Sequence, residues 1–458
     1  MNKRFGSIAA LMFCLVLGIG EAASAAEPAE LKIVVAPMVA LYGEPFSWKV
    51  IGLRPGERVT VKAVSKDAKM ISWESEAVFE ADKSGTVDIG HRSPVSGSYA
   101  EADIFGLLWS MKPVNSDPKK PIGYRDNGTA GWTVDLTAEN SAGLKSTARF
   151  RCVYQKPDVA LVRVPLEKDG LSGFLYYPAE GGSFPGVIIL GGSEGGLFEP
   201  RARAFASNGF AALTLAYFNY PGLPDELVEI PLEYSDRAIA WMKAQPRVKA
   251  GGVGIVGGSK GGELALLVAS RNSDVRAVVA LTPAAHAWEG HTMRFFSPDY
   301  QPVSSWSLGG RPIPYISFKT TPEIKEIYQR GELPSFVPFF RDGLVQADPV
   351  TIDKAAIPVE KTRGPILLIS GTDDQIWPAG EFCSAIVARL KKAGFPFEIK
   401  HLIIEKGGHM SCMPTLITAN RGLLIDGDPS GGAPQAGARG GYRSWLETIT
   451  FLHRHLDR

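Results

Sequence analysis

The residues whose types and spacing could do chemistry lie in four short runs. Gly257-Gly258-Ser259-Lys260-Gly261 follows the apolar run Gly254-Ile255-Val256 and precedes Glu263-Leu264-Ala265-Leu266-Leu267-Val268-Ala269, a run of helix formers. A serine between glycines at a strand-to-helix turn projects its oxygen at the positive end of the helix, which suits a nucleophile. Gly191-Gly192-Ser193-Glu194-Gly195 fits the same pattern after Val187-Ile188-Ile189-Leu190. Position separates the two. Ser193 follows an earlier strand, where such a site draws an oxyanion amide, and Ser259 follows the strand two further on. Ser259 is therefore the expected nucleophile. The backbone N–H of Lys260 and one from Ser193 or Glu194 would bind a tetrahedral oxyanion, each worth about 3 kcal/mol.

A serine hydroxyl is a poor nucleophile near neutral pH and needs a base oriented by an acid. In this setting the chain order is serine, then Asp or Glu, then histidine. The apolar run Ile366-Leu367-Leu368-Ile369 opens into Ser370-Gly371-Thr372-Asp373-Asp374-Gln375-Ile376-Trp377-Pro378, where the acid should emerge. Asp374, four residues before Pro378, is preferred, and Asp373 is the alternative that would otherwise cap a turn or helix. The expected base is His409 in Glu405-Lys406-Gly407-Gly408-His409, since it alone of the seven histidines follows a late strand and a glycine pair. His91, His401, His453 and His455 read as surface or satisfied core residues. His286 and His291 follow Val278-Val279-Ala280-Leu281 and could line a pocket.

These turns need a sheet to hold them. After Lys156-Pro157-Asp158 short apolar runs alternate with helical spacing: a helix over Glu199 to Ser207, a strand over Ala211 to Ala216, a helix over Leu232 to Ala244, and a strand over Ile399 to Ile404. That alternation predicts a mostly parallel sheet covered by helices, an α/β domain over residues 160–458. Trp288 to Phe336, with Phe295, Phe296 and Trp306, falls in a cap insertion at about 286–355; its aromatics either shape an acyl pocket or pack as core. The Gly/Pro-rich stretch from Asp426 to Gly441 reads as a flexible loop before a last helix, Tyr442 to His455.

Residues 30–155 are different. Runs such as Phe46-Ser47-Trp48-Lys49-Val50 and Arg58-Val59-Thr60-Val61-Lys62-Ala63-Val64 alternate in polarity and are separated by turn signals such as Arg54-Pro55-Gly56-Glu57. Short strands without intervening helices predict an immunoglobulin-like antiparallel β-sandwich.

Residues 1–25 read as a cleavable signal peptide: Lys3 and Arg4, an apolar stretch from Ile8 to Gly20, then Ala23-Ser24-Ala25. The expectation is a periplasmic or secreted protein without a stable membrane anchor. Lys plus Arg total 49 against 48 Asp plus Glu, so no bulk charge draws in nucleic acid or anionic lipid. The four cysteines show no C-x-x-C spacing, and no His and carboxylate cluster has ligand spacing; neither a metal nor another cofactor is expected. In an oxidising compartment Cys383 and Cys412 could pair, leaving Cys152 odd.

Several runs together carry a resemblance. Phe184-Pro185-Gly186 through Gly191-Gly192-Ser193-Glu194-Gly195-Gly196-Leu197-Phe198-Glu199, Ala216-Tyr217-Phe218-Asn219-Tyr220, the Ser259 turn with Gly262-Glu263-Leu264, and Asp373-Asp374-Gln375-Ile376-Trp377 resemble the acyl-CoA thioesterase and bile acid-CoA:amino acid N-acyltransferase family. Gly97-Ser98-Tyr99 and Gly106-Leu107-Leu108-Trp109-Ser110-Met111 resemble its N-terminal immunoglobulin-like domain. The resemblance implies an α/β-hydrolase catalytic domain, with the family's serine, aspartate and histidine on Ser259, Asp374 and His409. Members that transfer acyl groups to amino acids carry cysteine at the nucleophile, so serine here favours hydrolysis.

The implied activity is cleavage of a fatty-acyl thioester through a serine acyl-enzyme, with a small-molecule thioester or ester as substrate and no nucleic-acid partner. Two other readings stand beside it. The leader and the lack of a basic cluster for CoA phosphates fit an exported carboxylester hydrolase; a non-catalytic envelope protein using its sandwich for adhesion would leave the three motifs idle.

Overall fold

Strict polar–apolar alternation shapes the first part of the computed structural model, which describes residues 30–457 apart from 117–121, 125–127, 293–298, 331, 333–334 and 413–428. The expected leader, Phe295, Phe296 and residues 426–428 lie outside the described residues. Strands Arg58–Lys66 and Ser72–Glu80 bury every second side chain and pair antiparallel along their length. With Val39–Leu41, Lys145–Val153, Trp132–Asn140, Ser96–Gly97 and Lys112–Pro113 they form one sheet. Lys32–Ala36, Ser47–Ile51 and Val87–Asp88 form the other. The sheets meet through aromatic side chains: Phe150 lies 4.7 Å from Phe46 and 5.5 Å from Trp48, between ring centroids. One pairing departs from the expected antiparallel sandwich. Val39–Leu41 runs parallel to Lys145–Val153, because the first strand crosses from one sheet to the other at Pro37 and keeps its direction.

The second part is built on eight strands among the described residues: β1 (Leu161–Pro165), β2 (Ser172–Pro178), β3 (Phe184–Leu190), β4 (Ala211–Ala216), β5 (Val248–Gly258), β6 (Val275–Leu281), β7 (Ile366–Gly371) and β8 (Ile399–Ile404). Their order is β1-β2-β4-β3-β5-β6-β7-β8. β2 is antiparallel to both β1 and β4, and every later pairing is parallel. Central strands are buried on both faces, which is why β4 and β7 are almost wholly apolar. Alternate residues of β3 face opposite layers. Val187 and Ile189 pack with α1 (Glu199–Ser207) and the long C-terminal helix, whereas Ile188 and Leu190 pack with α2 (Leu232–Lys243), α3 (Lys260–Arg271) and the helix after β7.

Residues 282–365, between β6 and β7, hold the strands Trp306–Leu308 and Arg311–Pro312, which join Ile230–Pro231 in a small sheet. Three helices follow, α4 (Pro322–Gln329), α5 (Val337–Gln346) and α6 (Pro349–Ala355), and then α7 (Ala379–Lys392) after β7. The last helix, α8, spans Pro434–Leu456, so the second half of the expected flexible loop is helical. Its glycines, Gly437, Gly440 and Gly441, are buried contact points rather than loop residues. Cys152, Cys383 and Cys412 are buried, and the disulfide considered for the last two is not formed.

Candidate active site

The turns that hold Ser193, Ser259, Asp374 and His409 lie at the carboxyl edge of the eight-stranded sheet, where open α/β sheets place ligands. Ser259 joins β5 to α3 with φ 54° and ψ −123°, a left-handed strain that a non-glycine residue holds only when its surroundings over-determine it. Those surroundings are tight. A Cβ on Gly257 would stand 2.0 Å from the carbonyl oxygen of Gly261, and a Cβ on Gly261 would stand 2.1 Å from that of Gly191. The glycines let α3 press onto both its own strand and the loop after β3. Position 192 faces the serine, since a Cβ there would lie 3.4 Å from Ser259 Cβ. As the first residue of α3, Lys260 has an amide with no acceptor inside the helix.

The acid and base candidates meet. His409 Nδ1 is 2.8 Å from Asp374 Oδ2, and both residues are buried. The other carboxylate oxygen of Asp374 accepts the amides of Ile376 at 2.9 Å and Trp377 at 3.2 Å. The amide of His409 donates to Ser430 O at 2.7 Å, and the Trp377 ring stands edge-on to the imidazole, 5.9 Å between centroids. The serine turn and the acid turn are tied through the end of β6: Ser259 N donates to Leu281 O at 2.9 Å, and Trp377 Nε1 donates to Thr282 O at 3.0 Å.

Asp373 points elsewhere. Its Oδ2 accepts Gly432 N–H at 3.0 Å and its Oδ1 accepts Gln375 Nε2 at 2.7 Å. Ser193 and Glu194 are exposed at the tip of the loop after β3. Four of the remaining histidines have their own partners: His401 lies 2.7 Å from Ser370 Oγ, His453 2.8 Å from Asp457, His455 3.0 Å from Glu398 and His91 3.1 Å from Asp88. His286 is part-buried, and burial, assisted by the charge of Arg389, pulls its pKa down to about 4.

The sequence reading gave no role to a buried polar network beside the serine. The Lys260 side chain is fully buried and sits 2.8 Å from both oxygens of Glu263, itself buried. Desolvation draws the ammonium down and the carboxyl up, and the ion pair opposes both. Glu263 also accepts Trp306 Nε1 at 2.6 Å and the amide of Trp288 at 3.2 Å, so the serine helix grips the insertion between β6 and β7. Charged residues inside an otherwise apolar helix run were the available signal. Around Trp288 the insertion is tight core, with Phe340 at 4.8 Å and Phe382 at 6.0 Å. Among the described residues no group of His, Cys, Asp and Glu could hold a metal ion.

Known proteins match the chain along nearly its whole length. The family model of the acyl-CoA thioester hydrolase/BAAT N-terminal region matches residues 43–165, and the BAAT/acyl-CoA thioester hydrolase C-terminal model matches residues 230–458. Mouse acyl-coenzyme A thioesterase 1 is 30% identical over 428 residues, covering 91% of this chain and 94% of that one. The chain belongs to the acyl-CoA thioester hydrolase/BAAT family. Human acyl-coenzyme A thioesterase 1 matches at the same 30% identity and coverage, and the human mitochondrial acyl-coenzyme A thioesterase 2 at 30% over 82% of its length. Two solved α/β folds are more distant. A dienelactone hydrolase-like promiscuous phosphotriesterase from metagenomic libraries is 14% identical over 65% of this chain and 98% of its own, with a TM-score of 0.39. A puromycin-hydrolyzing peptidase from Mycobacterium tuberculosis is 13% identical over 88% and 54%, with a TM-score of 0.40. Membership of this family makes the chain an enzyme of the hydrolase class on an α/β-hydrolase fold preceded by an immunoglobulin-like sandwich. Among the described residues no helix is long and apolar enough to cross a membrane.

Proposed function

We propose that the chain hydrolyses acyl thioesters of the acyl-CoA type through Ser259, His409 and Asp374. The observation that carries this reading is the buried 2.8 Å contact between His409 and Asp374, on the same sheet edge as the strained Ser259 turn. Ser259 Oγ attacks the acyl carbonyl carbon while His409 Nε2 takes its proton. The oxyanion forms against the amides of Lys260 and of Ser193 or Glu194. Collapse breaks the C–S bond, and His409 returns the proton to the leaving sulfur. Water then attacks the acyl-serine, passing a proton to His409 and from it to Ser259 Oγ, and the carboxylic acid leaves. Asp374 fixes the imidazole tautomer and offsets its positive charge.

Ser259→Ala should abolish turnover of palmitoyl-CoA and labelling by a fluorophosphonate probe. Ser193→Ala, which keeps its backbone amide, should lower kcat by less than about tenfold. Equal damage from both would refute the assignment.

The leader-like residues 1–25 favour a second reading, an exported carboxylester hydrolase. A kcat/KM for p-nitrophenyl palmitate several orders above that for palmitoyl-CoA would establish it, and sequencing of the mature N-terminus would test export. Retention of Met1 or a start at Asn2 removes the argument for an exported substrate.

A further inference from the structure

The strand β4 runs out of the sheet into Tyr217-Phe218-Asn219, beside the loop 191–196. Four side-chain and backbone contacts join the two segments. The buried Tyr217 hydroxyl donates to Gly191 O at 2.7 Å and, more weakly, reaches Gly192 O at 3.3 Å. Asn219 Nδ2 donates to Glu194 O at 2.8 Å. Gly196 N–H donates to Phe218 O at 3.1 Å, and Asn219 holds φ 49° to make its reach. The loop's own turn closes with Gly195 N–H on Gly192 O at 3.3 Å.

Peptide geometry converts these contacts into amide directions. In a trans peptide the C=O and the following N–H point opposite ways. With the carbonyls of Gly191 and Gly192 turned to Tyr217, the amides of Gly192 and Ser193 turn away from it. Gly192 is the loop residue that faces Ser259. The tyrosine also remains a donor, since burial and the nearby charges of Glu194 and Glu263 push its pKa well up. Its ring is fixed against Phe218 at 5.2 Å and Trp306 at 5.8 Å.

From this geometry we infer that Tyr217 and Asn219 are positioning residues: they hold the carbonyls of the loop 191–196 so that its amides meet the oxyanion formed on Ser259. This rests on the Ser259 reading above. Neither side chain touches the reacting atoms. Each acts through the loop, and so each should alter transition-state binding without altering ground-state binding.

The test uses the full chain with Tyr217→Phe, which removes one oxygen, and Asn219→Gly, which removes the amide while tolerating the positive φ at an exposed position. Readouts are kcat and KM on palmitoyl-CoA, and Ki for a long-chain alkyl trifluoromethyl ketone, whose serine adduct is a tetrahedral oxyanion. The expected result is a kcat lowered about 10- to 100-fold with KM within about threefold, and a ketone Ki weakened by the same factor as kcat/KM. If both variants keep kcat and Ki within about twofold while the melting temperature falls, the residues are packing alone and the inference is wrong. Should Tyr217→Phe fail to fold, Asn219→Gly decides the matter. Activity that survives Ser259→Ala overturns the underlying site assignment, whereas Ser259-dependent activity indifferent to both variants overturns this inference alone.

Discussion

Two adjacent aspartates lie in the turn after β7, and one step along the chain separates two different tasks. Asp374 turns inward to His409 and spends its second oxygen on the amides of Ile376 and Trp377. Asp373 turns outward and holds Gly432, next to the Ser430 carbonyl that receives the His409 amide. Asp374→Asn presents an amide to the imidazole and should cost about 10⁴ in kcat by selecting the wrong tautomer. Asp373→Asn keeps one carbonyl oxygen and should cost less than about tenfold. Steady-state kcat of the two variants at one pH measures the difference, and the opposite ranking would move the acid to Asp373. The sequence points to this turn because a buried strand breaking into polar residues is a visible pattern. Which of two neighbours points inward depends on the backbone of the loop and on Gly432, about 60 residues away, so in the sequence the preference for Asp374 rests on its distance from Pro378 and on the family resemblance.

At the scale of elements, the insertion between β6 and β7 holds a buried carboxyl bonded to its own segments, and this gives it a pH signature. Glu289 is buried, accepts the amide of Phe318 at 2.8 Å and the Tyr300 hydroxyl at 3.1 Å, and burial pushes its carboxyl up to about 7 from the ordinary 4.5. A raised carboxyl favours the protonated native form, so its contribution to stability is complete below about pH 4.5 and is lost as pH rises through 7. Between pH 5 and pH 8 the parent should lose on the order of 3 kcal/mol that Glu289→Gln does not lose. Urea unfolding at the two pH values checks this, and parallel losses in both proteins would remove Glu289 from the account. Long periodic elements such as α1 and β8 were legible to the residue, because apolar spacing alone specifies them. The first turns of α8 were not. Pro434 opens that helix in the usual first position, but Gly437, Gly440 and Gly441 have the composition of a loop. The glycines answer to a tertiary demand instead: a Cβ on Gly440 would stand 2.5 Å from Ile404 Cγ2 and 2.9 Å from Ser411 O, where the helix presses on the histidine turn.

For the molecule as a whole, α8 is also the seam between its two parts. Trp445 meets Phe205 of α1 at 4.8 Å and Tyr42 of the sandwich at 5.3 Å, and it approaches the Gly43 backbone so closely that a Cβ there would lie 2.2 Å from its ring. Tyr442 lies 5.2 Å from Phe105, and Arg439 pairs at 3.0 Å with the buried Asp103, which also takes the Trp109 indole N–H at 2.9 Å. One continuous buried cluster therefore runs from Trp48 in the sandwich through Trp445 to Val187 in the central sheet. The polarity pattern of the sequence changes after Lys156, but no local signal tells a helix residue facing its own sheet from one facing another domain. A shared core implies shared unfolding. Trp445→Ala should cost about 3–5 kcal/mol, as for other buried tryptophans, and should move the unfolding of sandwich and hydrolase together. Far-UV circular dichroism and intrinsic fluorescence, followed along one denaturant titration, should show coincident midpoints in the parent and in the variant. Two separated transitions, only one of them shifted, would mean that the sandwich is a tethered module. Coincident ones mean that the sandwich and the helix bearing on the His409 turn unfold as one cooperative unit.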